Sequence, residues 1–153
     1  MKPLEAYALG RELMDKHNLK DWEFTLDDSV RRFGCCKYRS KTISLSKKIV
    51  ELNGVEAVRD TILHEIAHAL TPYAGHGLGW KAMCRAIGAK DRRCYTSEEV
   101  VTPKPKFKAV CDRCKREFFR NRRPRKTHRN YISCAKCFRE TGVIAPLRYR
   151  RNK

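Results

Sequence analysis

Two histidines and a glutamate stand close together at His64-Glu65-Ile66-Ala67-His68. On a helix, His64 and His68 are only about 40° apart and one turn along, so both imidazoles can reach one ion. Glu65 lies about 100° round from His64, where it can reach a metal-bound water without ligating the metal. H-E-x-x-H on a helix is the pattern of zinc proteases. Zinc held by three protein ligands keeps one position for water and lowers its pKa toward ~7. A carboxylate beside a ligand can then take the water's proton and pass it to the leaving amine. The expected third ligand is His76, within Gly75-His76-Gly77 and beyond the helix-ending Pro72. Glycines on both sides let the backbone fold back toward the helix. The spacing is not the H-E-x-x-H-x-x-G-x-x-H of metzincins.

A second metal site is expected at Cys111-x2-Cys114 and Cys134-x2-Cys137, which enclose residues 115–133. Four thiolates from two such knuckles form a closed tetrahedral zinc site with no position left for water, hence a structural one. The expectation is two zinc ions per chain, one catalytic and one structural. A unit of this size has little core, so metal binding would supply much of its folding free energy. Cys84 follows Trp80 by one helical turn and reads as core, Cys35-Cys36 read as packing residues, and Cys94 has no evident role.

The chain has 153 residues with 35 Lys+Arg against 17 Asp+Glu, a net charge of +18. That balance excludes an acidic solvating protein and points to a polyanionic partner. The charge is concentrated: residues 102–153 carry 18 basic and 3 acidic groups, whereas residues 1–101 carry 17 and 14. Arg120, Arg122, Arg123, Arg125, Lys126 and Arg129 cluster between the cysteine pairs. They are the expected contacts to DNA, single-stranded or duplex. Phe118, Phe119 and Tyr131 lie among them, either as the small unit's core or as stacking surfaces for unpaired bases. No apolar run is long enough to span a membrane, and the N-terminus lacks the apolar run of a signal peptide. An intracellular protein is expected, cytoplasmic or nucleoid-associated, monomeric and without a membrane partner.

Several elements must position these groups. Leu4, Ala8, Leu9, Leu13 and Met14 recur at helical spacing. Trp22, Phe24 and Leu26 alternate as in a strand. Gly34 suggests a turn before a second strand at Cys35–Tyr38, and Thr42–Leu45 reads as a third. Ser46 could cap a short helix. Val55–Leu70 is the strongest helix, with Val55, Ile62, Ile66 and Ala69 opposite the histidines and the small Ala57 and Thr61 beside them. Trp80–Ile87 is helical up to Gly88, a C-terminal cap. The order of helix, strands, then helices implies an α+β domain. Thr102-Pro103-Lys104-Pro105-Lys106 reads as an extended connector.

His64–Ala69, Gly75-His76-Gly77 and Trp80-Lys81-Ala82-Met83 together resemble the SprT-like zinc metalloproteases. The Spartan protease of DNA–protein crosslinks carries the same domain type. Trp22, Arg31-Arg32-Phe33-Gly34 and Ile43-Ser44-Leu45-Ser46 extend the likeness upstream, while Leu78-Gly79 stands where relatives often have Pro and an acidic residue. The resemblance implies a zincin-like fold, zinc on His64, His68 and His76, and Glu65 as general base. Some SprT-like proteins carry a C-terminal zinc ribbon, and the cysteine segment is similar to one. The expected layout is a metalloprotease domain at 1–101, a Pro/Lys linker at 102–107 and a basic zinc ribbon at 108–153. The expected function is cleavage of proteins bound or crosslinked to DNA, with the ribbon holding the enzyme on nucleic acid. Tyr73 and Tyr95 are candidate donors to the oxyanion. The rival expectation is a non-catalytic nucleic-acid-binding adaptor with two zinc sites.

Overall fold

The computed structural model describes residues 1–125 and 132–152. The chain divides into two compact units, Met1–Pro103 and Lys104–Lys153.

The first unit opens with α1 (Pro3–Lys16). Pro3 suits the first helical turn, where a missing N–H costs nothing, and the Glu5 carboxylate accepts the Lys2 N–H at 2.9 Å. Its buried face is Ala6, Gly10, Leu13 and Met14. Leu4 and Ala8, expected on that face, are exposed, Leu4 by 79%. Gly10 explains the rotation. A Cβ there would stand 2.4 Å from the Phe24 ring, so the helix approaches the sheet along its glycine.

The sheet contains β1 (Glu23–Asp27), β2 (Gly34–Lys37) and β3 (Thr42–Ser46), in the order β1-β3-β2. β3 runs parallel to β1 and antiparallel to β2. As the central strand it is buried throughout. Its polar residues therefore need partners. Ser44 donates to Asp27 Oδ2 at 3.0 Å, and the Ser46 hydroxyl donates to the Ser29 carbonyl. The same Ser46 oxygen accepts the Ile49 N–H at 3.2 Å and caps α2 (Lys47–Leu52).

Next come α3 (Val55–Leu70) and α4 (Leu78–Ile87). Ile62 and Ile66 face the core as expected, but Val55 at the open first turn is exposed. The final helix of this unit begins two residues before the expected Trp80 and stops at Gly88, whose φ is 80°. Phe24, Ile43, Leu45, Ile62, Ile66 and Trp80 are among the residues filling the core. The segment after α4 is tied down by Asn53: its Nδ2 donates to Val101 O and its Oδ1 accepts the Val101 N–H, both at 2.8 Å.

The second unit has a sheet of β4 (Phe107–Val110), β5 (Glu117–Arg120) and β6 (Arg150–Arg151), ordered β5-β4-β6 and antiparallel throughout. A short α5 (Ala135–Thr141) starts within the second cysteine knuckle, with Cys134 as its N-cap and Cys137 in its first turn. The core is small: Ala109, Ala145 and Leu147 around Cys111, Cys134 and Cys137. Among the described residues no helix is long and apolar enough to cross a membrane.

Candidate active site

His64, Glu65 and His68 lie on α3, and His76 lies on the loop joining α3 to α4. The helix cannot continue through Thr71, because Pro72 disfavours helical backbone before it. The chain then reverses through two residues of positive φ, Tyr73 at 65° and Gly75 at 56°. Glycine takes that conformation freely, whereas a tyrosine pays about 1–2 kcal/mol for it.

The reversal places His76 Nε2 3.2 Å from His68 Nε2 and 3.3 Å from His64 Nε2. Nitrogens bound ~2.0–2.1 Å from a tetrahedral zinc are themselves roughly 3.3–3.4 Å apart. A neutral His76 has one ring proton and could donate it from Nε2 to only one of its neighbours. One shared cation therefore satisfies the cluster better than ring-to-ring hydrogen bonds. The donor set and its spacing fit zinc.

Electrostatics favour the ligating form. Burial, then the neighbouring histidines, lowers His64 to about 4. Burial, then His76, lowers His68 to about 4. His76 is lowered by burial and next by the charge of Arg93. All three imidazoles are thus neutral at pH 7, as metal binding requires. Trp80 packs against all three rings, with centroids 4.7, 5.2 and 4.6 Å from His64, His68 and His76. Its indole N–H is buried without a hydrogen-bond partner among the described residues. The ring backs all three imidazoles of the cluster.

Glu65 is only 7% exposed. Burial raises its pKa to about 7, against the opposing pull of the Cys36 N–H and the Arg32 charge. The side chain reaches β2 where that strand has no side chain: a Cβ on Gly34 would stand 2.5 Å from Glu65 Oε1. Gly34 reads from sequence as a turn residue but lies in β2 as a close-approach glycine. The signal that could have found it is a lone glycine inside a strand pattern.

These groups lie in a cleft of about 880 Å³. Its floor includes Ala57, Thr61, His64, Glu65 and His68, and its walls include Arg31–Gly34 and Arg92–Tyr95. Tyr95 therefore lines the cleft, and its ring meets Phe33 edge-on at 6.2 Å. Tyr73 is 92% exposed and stacks on Tyr38. Cys94 lines the cleft, Cys84 is core, and Cys35 and Cys36 are half-buried on β2.

In the second unit the four expected cysteines converge. Cys111 and Cys137 sulfurs are 3.7 Å apart, and Cys114 and Cys134 sulfurs 3.6 Å. Thiolates ~2.3 Å from a tetrahedral zinc are roughly 3.8 Å apart, whereas a disulfide needs ~2.05 Å. Without a cation the thiols do not shift alike: Cys111 is lowered to about 7, first by the Cys114 backbone N–H, and Cys134 is lowered, first by the Cys137 backbone N–H, whereas burial pushes Cys137 up to about 12.

Arg120, Arg122, Arg123 and Arg125 are exposed. Arg120 also lies over the Tyr149 ring at 5.0 Å. Phe118 is half-buried against the small core, while Phe119 is 49% exposed with Lys108 over its ring. Lys126, Arg129 and Tyr131 lie outside the described residues.

The SprT-like family model matches residues 7–100. The Protein SprT-like of Staphylococcus epidermidis, in each of two strains, is 28% identical over 117 residues, covering 73% of this chain and 72% of that protein. The crystal structure of the metallopeptidase zymogen of Methanocaldococcus jannaschii jannalysin is similar with a TM-score of 0.48 and 19% identity, covering 61% of this chain and 85% of that one.

Proposed function

The chain belongs to the SprT-like family, and we propose that it is a zinc-dependent endopeptidase that acts on proteins attached to DNA. The observation that carries this reading is the three-histidine cluster beside a buried carboxylate of raised pKa. A purely structural three-histidine site has no use for that carboxylate. Held by His64, His68 and His76, zinc would supply Lewis acidity to the scissile carbonyl and to the attacking water. Glu65 takes the water's proton and delivers it to the leaving amine. A base with a pKa near 7 is matched to that exchange at neutral pH. Of Tyr73 and Tyr95, the oxyanion donor in this mechanism is Tyr95, which lines the cleft. Its hydroxyl is raised above the ordinary value, by burial first and then by Cys94, and so keeps its proton.

The second unit is proposed to hold a structural zinc on its four cysteines and to anchor the enzyme on DNA. The +15 of residues 102–153 supports this, as do the exposed arginines 120, 122, 123 and 125. Specificity for DNA-associated proteins then comes from co-localisation. The test is incubation of the zinc-loaded chain with a DNA-bound protein and with labelled DNA, with and without chelator. Chelator-sensitive cleavage of the protein, with the DNA intact, is expected. Binding to DNA with no cleavage of the protein would instead indicate an adaptor.

A further inference from the structure

The loop that returns His76 to the helix also presents Tyr73 to solvent. Its backbone is left-handed and its ring is 92% exposed. A bulky residue rarely adopts that conformation, and glycine or asparagine would hold the same turn with less strain. The ring adds nothing to the core, yet it has a defined neighbour. It stacks on Tyr38 with centroids 5.8 Å apart and planes at 26°. Tyr38 in turn meets Trp22 edge-on at 6.5 Å and 86°. Rings from the approach to β1, the turn after β2 and the His76 loop thus form one aromatic ledge. Tyr38 immediately follows β2, the edge strand whose Gly34 and Cys36 meet Glu65. The ledge therefore continues the line of that strand away from the carboxylate.

We propose that Tyr73 and Tyr38 form a specificity site that binds an aromatic or large aliphatic side chain of an extended peptide, close to the bond presented to Glu65. The proposal rests on the endopeptidase reading. An extended chain laid along β2 would project alternate side chains to one face. The open face of a stacked tyrosine pair suits an apolar side chain, through area burial and offset ring contacts. Tyr73 is the ring left uncovered, so it is the residue that such a side chain would cover. The strained tyrosine is then retained for substrate rather than for the fold, as strain at ligand sites commonly is.

The test uses the full zinc-loaded chain and fluorescein-labelled peptides that differ at one position, Phe, Leu, Ala or Asp. Wild type should prefer Phe and Leu over Ala and Asp by about 10-fold in kcat/KM, mainly through KM. Tyr73→Phe should keep that preference. Tyr73→Gly should lose it while keeping its zinc and an unfolding midpoint equal to or above wild type, which separates substrate binding from folding. Anisotropy titration of Glu65→Gln with the same peptides should show the same order of affinity. If wild type cuts nothing but Glu65→Gln binds the Phe peptide about 10-fold tighter than the Ala peptide, the ledge stands and the endopeptidase reading falls. If wild type cuts and Tyr73→Gly keeps the preference, the ledge is overturned. Binding of labelled oligothymidine that Tyr73→Gly abolishes, with peptide preference unchanged, would also overturn it, in favour of a base-stacking surface.

Discussion

Gly34 and Glu65 share one space: the carboxylate of Glu65 occupies the volume that any side chain at position 34 would take. A Cβ there would lie 2.5 Å from Oε1, 2.7 Å from Cγ and 2.9 Å from Cδ. Because Glu65 is buried, it has little room to withdraw. The edge strand and the histidine helix are thus fitted to each other at the proposed base.

Gly34→Ala should therefore impair the base without touching a ligand. We expect zinc content at the histidine site to be unchanged. Cleavage should fall by about 10²-fold, the usual consequence of misplacing a reacting group by ~1 Å. Stability should fall by roughly 1–3 kcal/mol from overpacking. Metal analysis, cleavage rates and chemical denaturation check these together. Wild-type cleavage by the alanine variant would show that the close fit is not needed.

How much of this centre was legible in the sequence depends on distance along the chain. His64, Glu65 and His68 are related by helical geometry alone, so their spacing declares them. His76 needed only a helix stop and a flexible return. Gly34 gave only an ambiguous signal, because a glycine at a strand reads equally well as a turn residue or a close approach, and the helix it meets lies far along the chain. Leu4 and Ala8 misled for a related reason. Their apolar spacing is real, but Gly10 lets the Phe24 ring press against α1 and so selects a different face. Trp80 was visible only as part of a motif. Its role as backing for three imidazoles appears once α4 packs against α3.

Glu65→Gln keeps the size of the side chain and removes the base. The variant should retain zinc and lose about 10²–10⁴-fold in cleavage rate. It should also change how the metal-free protein responds to pH. In the folded chain Glu65 has its pKa raised to about 7 from 4.5, so the folded state holds this proton more tightly than the unfolded state does. Its contribution to stability is full below about pH 4.5 and is lost as pH rises through about 7. The lowered His64 and His68 act in the opposite sense, losing stability as pH falls from 6.5 toward 4. Comparing wild type with Glu65→Gln cancels the histidines. In chelator the variant should be the more stable protein at pH 8, by up to roughly 3 kcal/mol, with the gap narrowing as pH falls through 7 and closing below about pH 4.5. A gap that does not vary with pH would mean that Glu65 is not a buried, proton-binding carboxylate.

Two ligand clusters predict two zinc equivalents. His68→Ala should lose one and leave the other, with the second unit still folded. Cys137→Ala should lose the other and unfold the second unit, whose few buried residues cannot replace the metal's contribution. Elemental analysis with hydrogen exchange across residues 104–125 reads both effects. A wild-type content near one equivalent would remove one of the two sites.

The charge of the second unit gives the last prediction. Each phosphate neutralised by Arg or Lys releases condensed counterion, so log K falls against log salt with a slope of roughly −0.9 per contact on duplex and −0.7 on single strands. Arg122, Arg123 and Arg125 are exposed and belong to neither ligand cluster. Replacing all three with Ala in the full chain should flatten the slope by up to about 3 units if all three touch phosphate. Zinc content should be unchanged. Cleavage of a DNA-bound protein should fall further than cleavage of a free unfolded protein, because only the first depends on anchoring. Fluorescence anisotropy of labelled single-stranded and duplex DNA over a salt series measures the slope, and the two affinities at one salt concentration separate the two DNA forms. A variant that keeps the wild-type slope would place the DNA anchor elsewhere on the chain.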